Sequence, residues 1–185
     1  AGTAQNVLDI KSNEIVINDD SVDLDFRVES NGNANMLLVD GGNDCVGIGN
    51  SIPGSFNANA NTLVVGTGSG SEGITIYGGN ESNIFFADGT ASADNLRGRI
   101  EYSHLSEGML FYTNNTYAMR LDTNQNVLIG TADANPAENN VAGIGLLAGN
   151  SISVTDDGGA PIQLNRKTDD GSIAVFRKDG SNKGS

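Results

Sequence analysis

Residues 62–79, TLVVGTGSGSEGITIYGG, set Gly68, Gly70 and Gly73 behind an apolar run at the spacing of a dinucleotide-binding loop. Such a loop works because its glycines let the backbone approach a pyrophosphate that rests on the N-terminal end of a following helix. Here Ile74, Thr75, Ile76 and Tyr77 follow, closed by Gly78-Gly79, a β-branched and aromatic alternation that reads as a strand. The acidic residue expected at the end of a second strand about 20 residues on is also missing, since that region holds Phe85, Phe86 and the turn pair Asp88-Gly89. The stretch therefore reads as two strands joined by a flexible glycine-serine loop.

Other residue types invite other chemistries. Glycoside hydrolysis uses two carboxylates flanking a sugar bond, and Asp19-Asp20, Asp23, Asp25, Asp156-Asp157 and Asp169-Asp170 are candidates. Asp23 and Asp25 alternate so as to share one side of a strand, whereas the Asp-Asp pairs precede Ser or Gly in turns. A general acid needs an apolar pocket that these flanks do not offer, so solvated turns are the expected reading. Asp122 to Asp133, DTNQNVLIGTAD, places Asp, Asn and Asn at positions 1, 3 and 5 of a calcium loop and Asp at 12. Val127 stands where that loop needs glycine, and no helices flank it. Cys45, the single cysteine, is expected to be a buried inert thiol, because nothing in the sequence brings the single histidine, His104, toward it as a base. Arg97 and Arg99 alternate with Gly98 and Ile100 as on a strand face and suit a solvated face or salt bridges. Asn80 and Asn114 head glycosylation-type triplets, which carry no argument without secretion. Tyr77, Tyr102, His104, Tyr112 and Tyr117 are the candidate receptor contacts, each ring pairing apolar area with a polar tip. The expected sites hold no catalytic group, cofactor or metal.

The elements that must position these residues are almost all β. A net charge of −13 disfavours nucleic acid and anionic lipid as partners. Aromatics make up 5% of the chain, tryptophan is absent and glycine reaches 25 residues, so a thick core is hard to build. Thin repetitive β architectures need only a narrow aliphatic stripe and use Gly and Asn at their turns. No apolar run approaches the length of a membrane helix.

A repeat emerges when MLLVDGGNDCVGIGNSIPG, residues 36–54, is laid on MRLDTNQNVLIGTADANPA, residues 119–137. Asp40 matches Asp122, Val46 matches Val127 with one residue of slack, Ile48-Gly49 matches Ile129-Gly130, and a proline follows in each. The unit is a short strand, a turn opened by Asp, a second strand and a glycine bend. FRKDGSNKGS, residues 176–185, starts a third copy with Asp179-Gly180 at its turn, and the chain is read as a fragment or a processed product. Further strand-like runs include VLDIKSNEIVIND, ITIYGG, GRIEYSH, GMLFYTN and PIQLNRK, with one helical turn allowed between Pro136 and Leu147. The expected organisation is an N-terminal repeat segment over 1–60, a central aromatic-rich module with a thicker core over 61–117, and a C-terminal repeat segment over 118–185.

IFFADGTASADNLRGRIEYSH, then FYTNNTYAMRLDTNQNVLIGTADANPAENNVAGIGL, then PIQLNRKTDDGSIAVFRKDGSNKGS, resemble the fibre region of marine phage tail-fibre and structural proteins. In that family blocks of the form F-A-D-G-T, R-G-x-I-x-Y-x-H, R-M-R-I-D-x-x-G-N-V-G-I-G-T and L-N-R-K-x-x-D-G recur in this order. They often precede a self-cleaving chaperone domain like that of endosialidase tailspikes. The resemblance covers roughly residues 36–185; its first block is common to many fibres, and the ordered set is much more specific. Two departures stand out: Ala118-Met119-Arg120-Leu121 replaces a charged entry, and no chaperone is in this sequence. The resemblance implies an all-β, elongated, intertwined homotrimeric fibre, a triple-stranded β-helix or β-prism shaft on a virion, made in the host cytoplasm. Its implied partners are other copies of itself, other virion tail proteins and a host cell-surface glycan or protein. The implied role is host attachment, as rigid spacer and adhesin. Two other readings stand beside it, a polysaccharide-degrading tailspike on a β-helix, for which the repeat is too widely spaced, and a bacterial surface adhesin.

Overall fold

The computed structural model describes residues 8–10, 12–18, 21–168 and 170–184. Strands dominate it, as the alternation predicts, and the chain divides into two units at residues 75 and 76.

In the first unit β1 (Leu8–Ile10) and β2 (Ile15–Ile17) form an antiparallel hairpin. A four-stranded sheet follows, built in chain order from β3 (Phe26–Val28), β4 (Leu37–Asp40), β5 (Cys45–Ile48) and β6 (Leu63–Val65). A 3-10 turn over Pro53–Ser55 lies between β5 and β6, which pair in parallel. Residues directly opposite in a ladder share a face, and successive residues alternate. The register therefore puts Phe26, Val39, Val46 and Leu63 in one row, flanked by Val28 with Leu37 and by Ile48 with Val65. Every side chain on that face is apolar. Leu38 and Cys45 lie buried on the other face.

The second unit is a seven-stranded antiparallel meander. It comprises β7 (Glu81–Phe86), β8 (Gly98–Ser103), β9 (Gly108–Thr113), β10 (Thr116–Leu121), β11 (Val127–Ile129), β12 (Gly143–Leu147) and β13 (Ser151–Thr155), in that spatial order. A bulge at Ala118, between Tyr117 and Met119, lets both of those residues keep their partners on β9. A short 3-10 turn spans Asp94–Leu96, and one turn of helix, α1 (Pro136–Asn139), packs on β12 and β13. The hairpin β14 (Phe176–Lys178) and β15 (Ser181–Gly184) closes the chain, with Asp179 and Gly180 both at positive φ as a two-residue primed turn demands.

Following the register across this sheet gives two rows that run its whole width. One is Ile84, Ile100, Phe111, Met119, Ile129, Ile144 and Val154. The next is Ser82, Tyr102, Met109, Leu121, Val127, Leu146 and Ile152. None of the fourteen carries a charge, and Ser82 at the edge is the single small polar one. The opposite face is mixed: Asn83, Glu101, Leu110, Arg120, Leu128, Gly145 and Ser153 form its central row. Helix α1 covers the β12–β13 end of that mixed face, where the Ala137 N–H donates to Ser153 Oγ and Leu128 is fully buried.

Two expected strands lack ladders. Ile74–Tyr77 and residues 161–167 belong to no sheet, and Ile74, Ile162 and Leu164 are largely exposed. Alternation favours an extended backbone, but a strand also needs a neighbour to take its N–H and C=O groups, and the chain offers none there. Nor is the aromatic centre a thick core. Its sheet is one layer deep, so Phe85 and Phe86 remain about half exposed. Among the described residues the buried hydrophobic core consists of Leu38, Cys45 and Leu128. Residues 117 and 118, where the sequence reading placed a segment boundary, sit inside β10.

Candidate functional site

The repeat is the best-defined constellation, and both complete copies fold alike. Asp40 closes β4 and Asp122 follows β10; each carboxylate turns back onto its own loop. Asp40 accepts the Asn43 N–H at 3.0 Å and the Asn43 side-chain amide. Asp122 accepts the Asn124 and Asn126 N–H groups, both at 2.9 Å, and the Asn126 amide at 3.0 Å. The one residue of slack is a loop difference. Four residues separate Asp40 from Cys45 with Asp44 at φ +53, while three separate Asp122 from Asn126 with Gln125 at φ +66. After the second strand, Gly49 at φ +73 and Gly130 at φ +67 make the same bend, with a left-handed backbone that suits glycine.

A further element of the repeat was not anticipated. The residue after each glycine is a buried polar one that accepts an N–H two positions on: Asn50 Oδ1 from Ile52, and Thr131 Oγ1 from Asp133. Asn50 also donates to the Gly66 carbonyl at 3.0 Å, and the Thr131 carbonyl accepts the Tyr117 hydroxyl at 3.2 Å. Pro53 and Pro136 are each fully buried at the start of a one-turn helix. The signal was legible as Asn-x-Ile and Thr-x-Asp behind Ile-Gly, a side-chain-to-backbone turn. The third copy differs, because Asp179 lies within its turn and not ahead of it.

The hydrogen bonds that fill Asp122 leave its carboxylate occupied by its own loop, and Asp133 likewise accepts from Asn135 and Asn139. Burial alone would push Asp122 up, but the Asn126 and Asn124 donors and the nearby Arg120 more than offset it and hold the carboxyl below its ordinary value. Among the described residues no group of three or more His, Cys, Asp or Glu side chains could hold a metal ion.

The glycine-rich loop carries its own anion. Thr67 donates its N–H at 2.9 Å and its hydroxyl to Glu72 Oε1, and these bonds lower the Glu72 pKa. Gly68 and Gly70 take positive φ in open space, and no helix follows.

Asp23 and Asp25 precede β3 and sit beside the β4–β5 turn, where Asp25 accepts the Gly41 N–H at 3.1 Å. An open groove of about 690 Å³ holds Asp25, Arg27 and Glu29, with Arg27 bonded to Glu29 at 2.6 Å. Asp156 and Asp157 occupy the loop after β13, and Asp19, Asp20 and Asp169 lie outside the described residues. Cys45 is 3% exposed, and burial, then Asp40, Asp44 and Asp25, push its thiol upward, which suits an unreactive group.

The five candidate receptor residues are spread over different surfaces. Tyr77 stands 98% exposed in the unpaired stretch before β7. Tyr102 lies on the apolar face and stacks edge-on against His104 at 4.9 Å; its hydroxyl donates to Glu107 at 2.6 Å, which raises its pKa. His104 Nε2 is 3.3 Å from Ser82 Oγ, which donates to the Ile76 carbonyl. Tyr112 and Tyr117 meet edge-on at 5.9 Å on the mixed face. Burial is the main cause raising the Tyr117 hydroxyl's pKa.

Arg99 belongs to that mixed face too, and its salt-bridge partner there is Glu101, a residue the sequence does not single out. The Arg99 guanidinium lies 3.9 Å from the Tyr112 ring centroid and 5.7 Å from that of Phe85, and it bonds the buried Glu101 carboxylate at 2.9 Å. Such a clamp ties β7, β8 and β9 together through stacking and charge. Arg97 precedes β8 and bonds Asp88, Asp94 and Asn114, as the salt-bridge reading expected.

No protein-family model, curated protein or solved structure matches this chain. No helix among the described residues is long and apolar enough to cross a membrane.

Proposed function

We propose that the chain is a structural segment of a phage tail fibre or comparable virion appendage, a homotrimer that serves host attachment as a rigid spacer and adhesin. One observation carries this reading: sheets a single layer thick, in which Leu38, Cys45 and Leu128 are the buried hydrophobic core among the described residues. A chain that buries so little gains its stability by adding copies. The ordered F-A-D-G-T, Ile-Gly and L-N-R-K blocks support the fibre reading, and the acidic charge fits a solvated exterior. On this reading the protein works outside the cell on the particle, beside other tail proteins and against a host glycan or surface protein. Polysaccharide cleavage gains no support from Asp25, whose carboxylate accepts the Gly41 N–H of the β4–β5 turn.

Sedimentation velocity with light scattering on the purified chain tests the proposal. The expected result is a mass near three times 19.1 kDa with a high frictional ratio. A compact monomer at micromolar concentration would overturn it.

A further inference from the structure

We infer that the apolar faces of the two sheets are the surfaces on which copies of this chain pack, with the row from Ile84 to Val154 at the centre of the contact. The inference rests on the self-assembly proposed above and names the surface responsible.

The register sets the size of that surface. Seven strands about 4.8 Å apart, with four to five residues of each at about 3.4 Å, present an apolar face of about 500 Å² in the second unit. The four-stranded sheet of the first unit presents a face of its own of about 200 Å² on the same basis. Monomers rarely expose patches beyond a few hundred Å², whereas a stable interface takes about 800 Å² from each partner. Parts of these faces stand open to solvent, with Ile84 47% exposed, Leu146 42% and Ile152 71% on one sheet and Leu63 54% on the other, while Ile100, Phe111 and Met119 in the row are half-buried.

The chemistry selects a second copy as the occupant. None of the fourteen positions of the two rows is charged, so the face offers nothing to choose a charged peptide. A net charge of −13 opposes docking on anionic lipid. The repeat also places its equivalent residues, Val39 with Leu121 and Ile48 with Ile129, on the open face in both units, so one chain carries the same strip twice. Packing these faces on copies leaves the Arg99–Glu101 face toward solvent.

The test compares Phe111→Glu, in the middle of the row, with Leu105→Glu, an apolar residue 75% exposed in the β8–β9 turn and off both faces. Sedimentation velocity over a concentration series reads assembly. We expect Phe111→Glu to weaken association at least tenfold and Leu105→Glu to leave it unchanged. Because a charge there can also unfold the sheet, a second arm places the photo-crosslinking analogue benzoylphenylalanine at position 111, or at 112 on the opposite face. Crosslinks between chains from 111 and not from 112 support the surface. Wild-type assembly with no chain-to-chain crosslink from 111 overturns this surface and leaves self-assembly standing, whereas a monomeric wild type overturns both.

Discussion

Replacing Asp122 by Ala removes the acceptor for three donors: two backbone N–H groups and the side-chain amide of Asn126, which is 8% exposed. The exposed Asn124 N–H can turn to water, at a net cost of about 0.5 to 1 kcal/mol. The buried Asn126 amide cannot, and an orphaned buried donor costs about 1 to 3 kcal/mol. Asn126 Oδ1 also accepts the Ala148 N–H at 2.9 Å, so loosening it disturbs the neighbouring β12–β13 turn as well. The sum is about 3 kcal/mol, or a melting point lower by about 10 °C or more for a unit of this size. Asp40→Ala is the control, since Asp40 serves one exposed partner residue, Asn43, and its loss costs about 1 kcal/mol or less. Thermal melts by far-UV circular dichroism at one fixed protein concentration read both variants. The pH profile supplies a second arm. The Asp122 carboxyl is depressed in the folded chain, so its contribution is complete above the unfolded value of about 3.9 and is lost as pH falls through the lower folded value. The gap between wild type and Asp122→Ala then narrows on acidification below about pH 4. Equal melting points for the two Ala variants at pH 7, or a gap that persists through the acid limb, would refute the account of this turn.

Two further outcomes follow from local geometry. Gly130 has φ +67 and nothing within 4 Å of an added Cβ, so Gly130→Ala is expected to cost about 1 kcal/mol from backbone strain alone, while Gly143, at φ +146, would drive a Cβ to 2.5 Å from the Thr131 side chain and cost about 3 kcal/mol. Urea denaturation ranks the two, and a Gly143→Ala variant as stable as Gly130→Ala would contradict the close packing. Cys45, buried and with a raised thiol, is expected to react with an aromatic disulfide reagent at least ~100-fold more slowly in the native chain than in denaturant, and fast native labelling would contradict its burial.

What the sequence made legible is what local chemistry decides. Asp40 and Asp122 announce their turns because a short carboxylate bonds the N–H groups just ahead of it, and Gly49 and Gly130 announce their bends through a positive φ. Pairing is decided elsewhere in the chain. Loops of similar length follow Ile48 and Ile129, yet β6 returns parallel to β5 while β12 returns antiparallel to β11. Ile74–Tyr77 alternates as well as any strand and finds no ladder, because alternation records which residues share a side and not which strand lies beside them. The aromatic block suggested depth, but a single layer leaves rings such as Phe85 half uncovered and turns Tyr112 into a platform for Arg99. That clamp hid in GRIEYS, where Arg and Glu two apart look like ordinary solvent-facing charges.

The meander also has a kinetic consequence. From β7 to β13 every strand pairs with its neighbour in the chain, so each closure spans a hairpin loop or a short connection and no contact in the ladder waits on a distant segment. Loop closure entropy is then small at every step, and chains dominated by such local pairings fold fast. The sheet can zip strand by strand as residues emerge during synthesis, so its rows align within one chain. If copies pack as proposed above, their association is a docking of finished surfaces whose rate rises with protein concentration, while the formation of each hairpin does not.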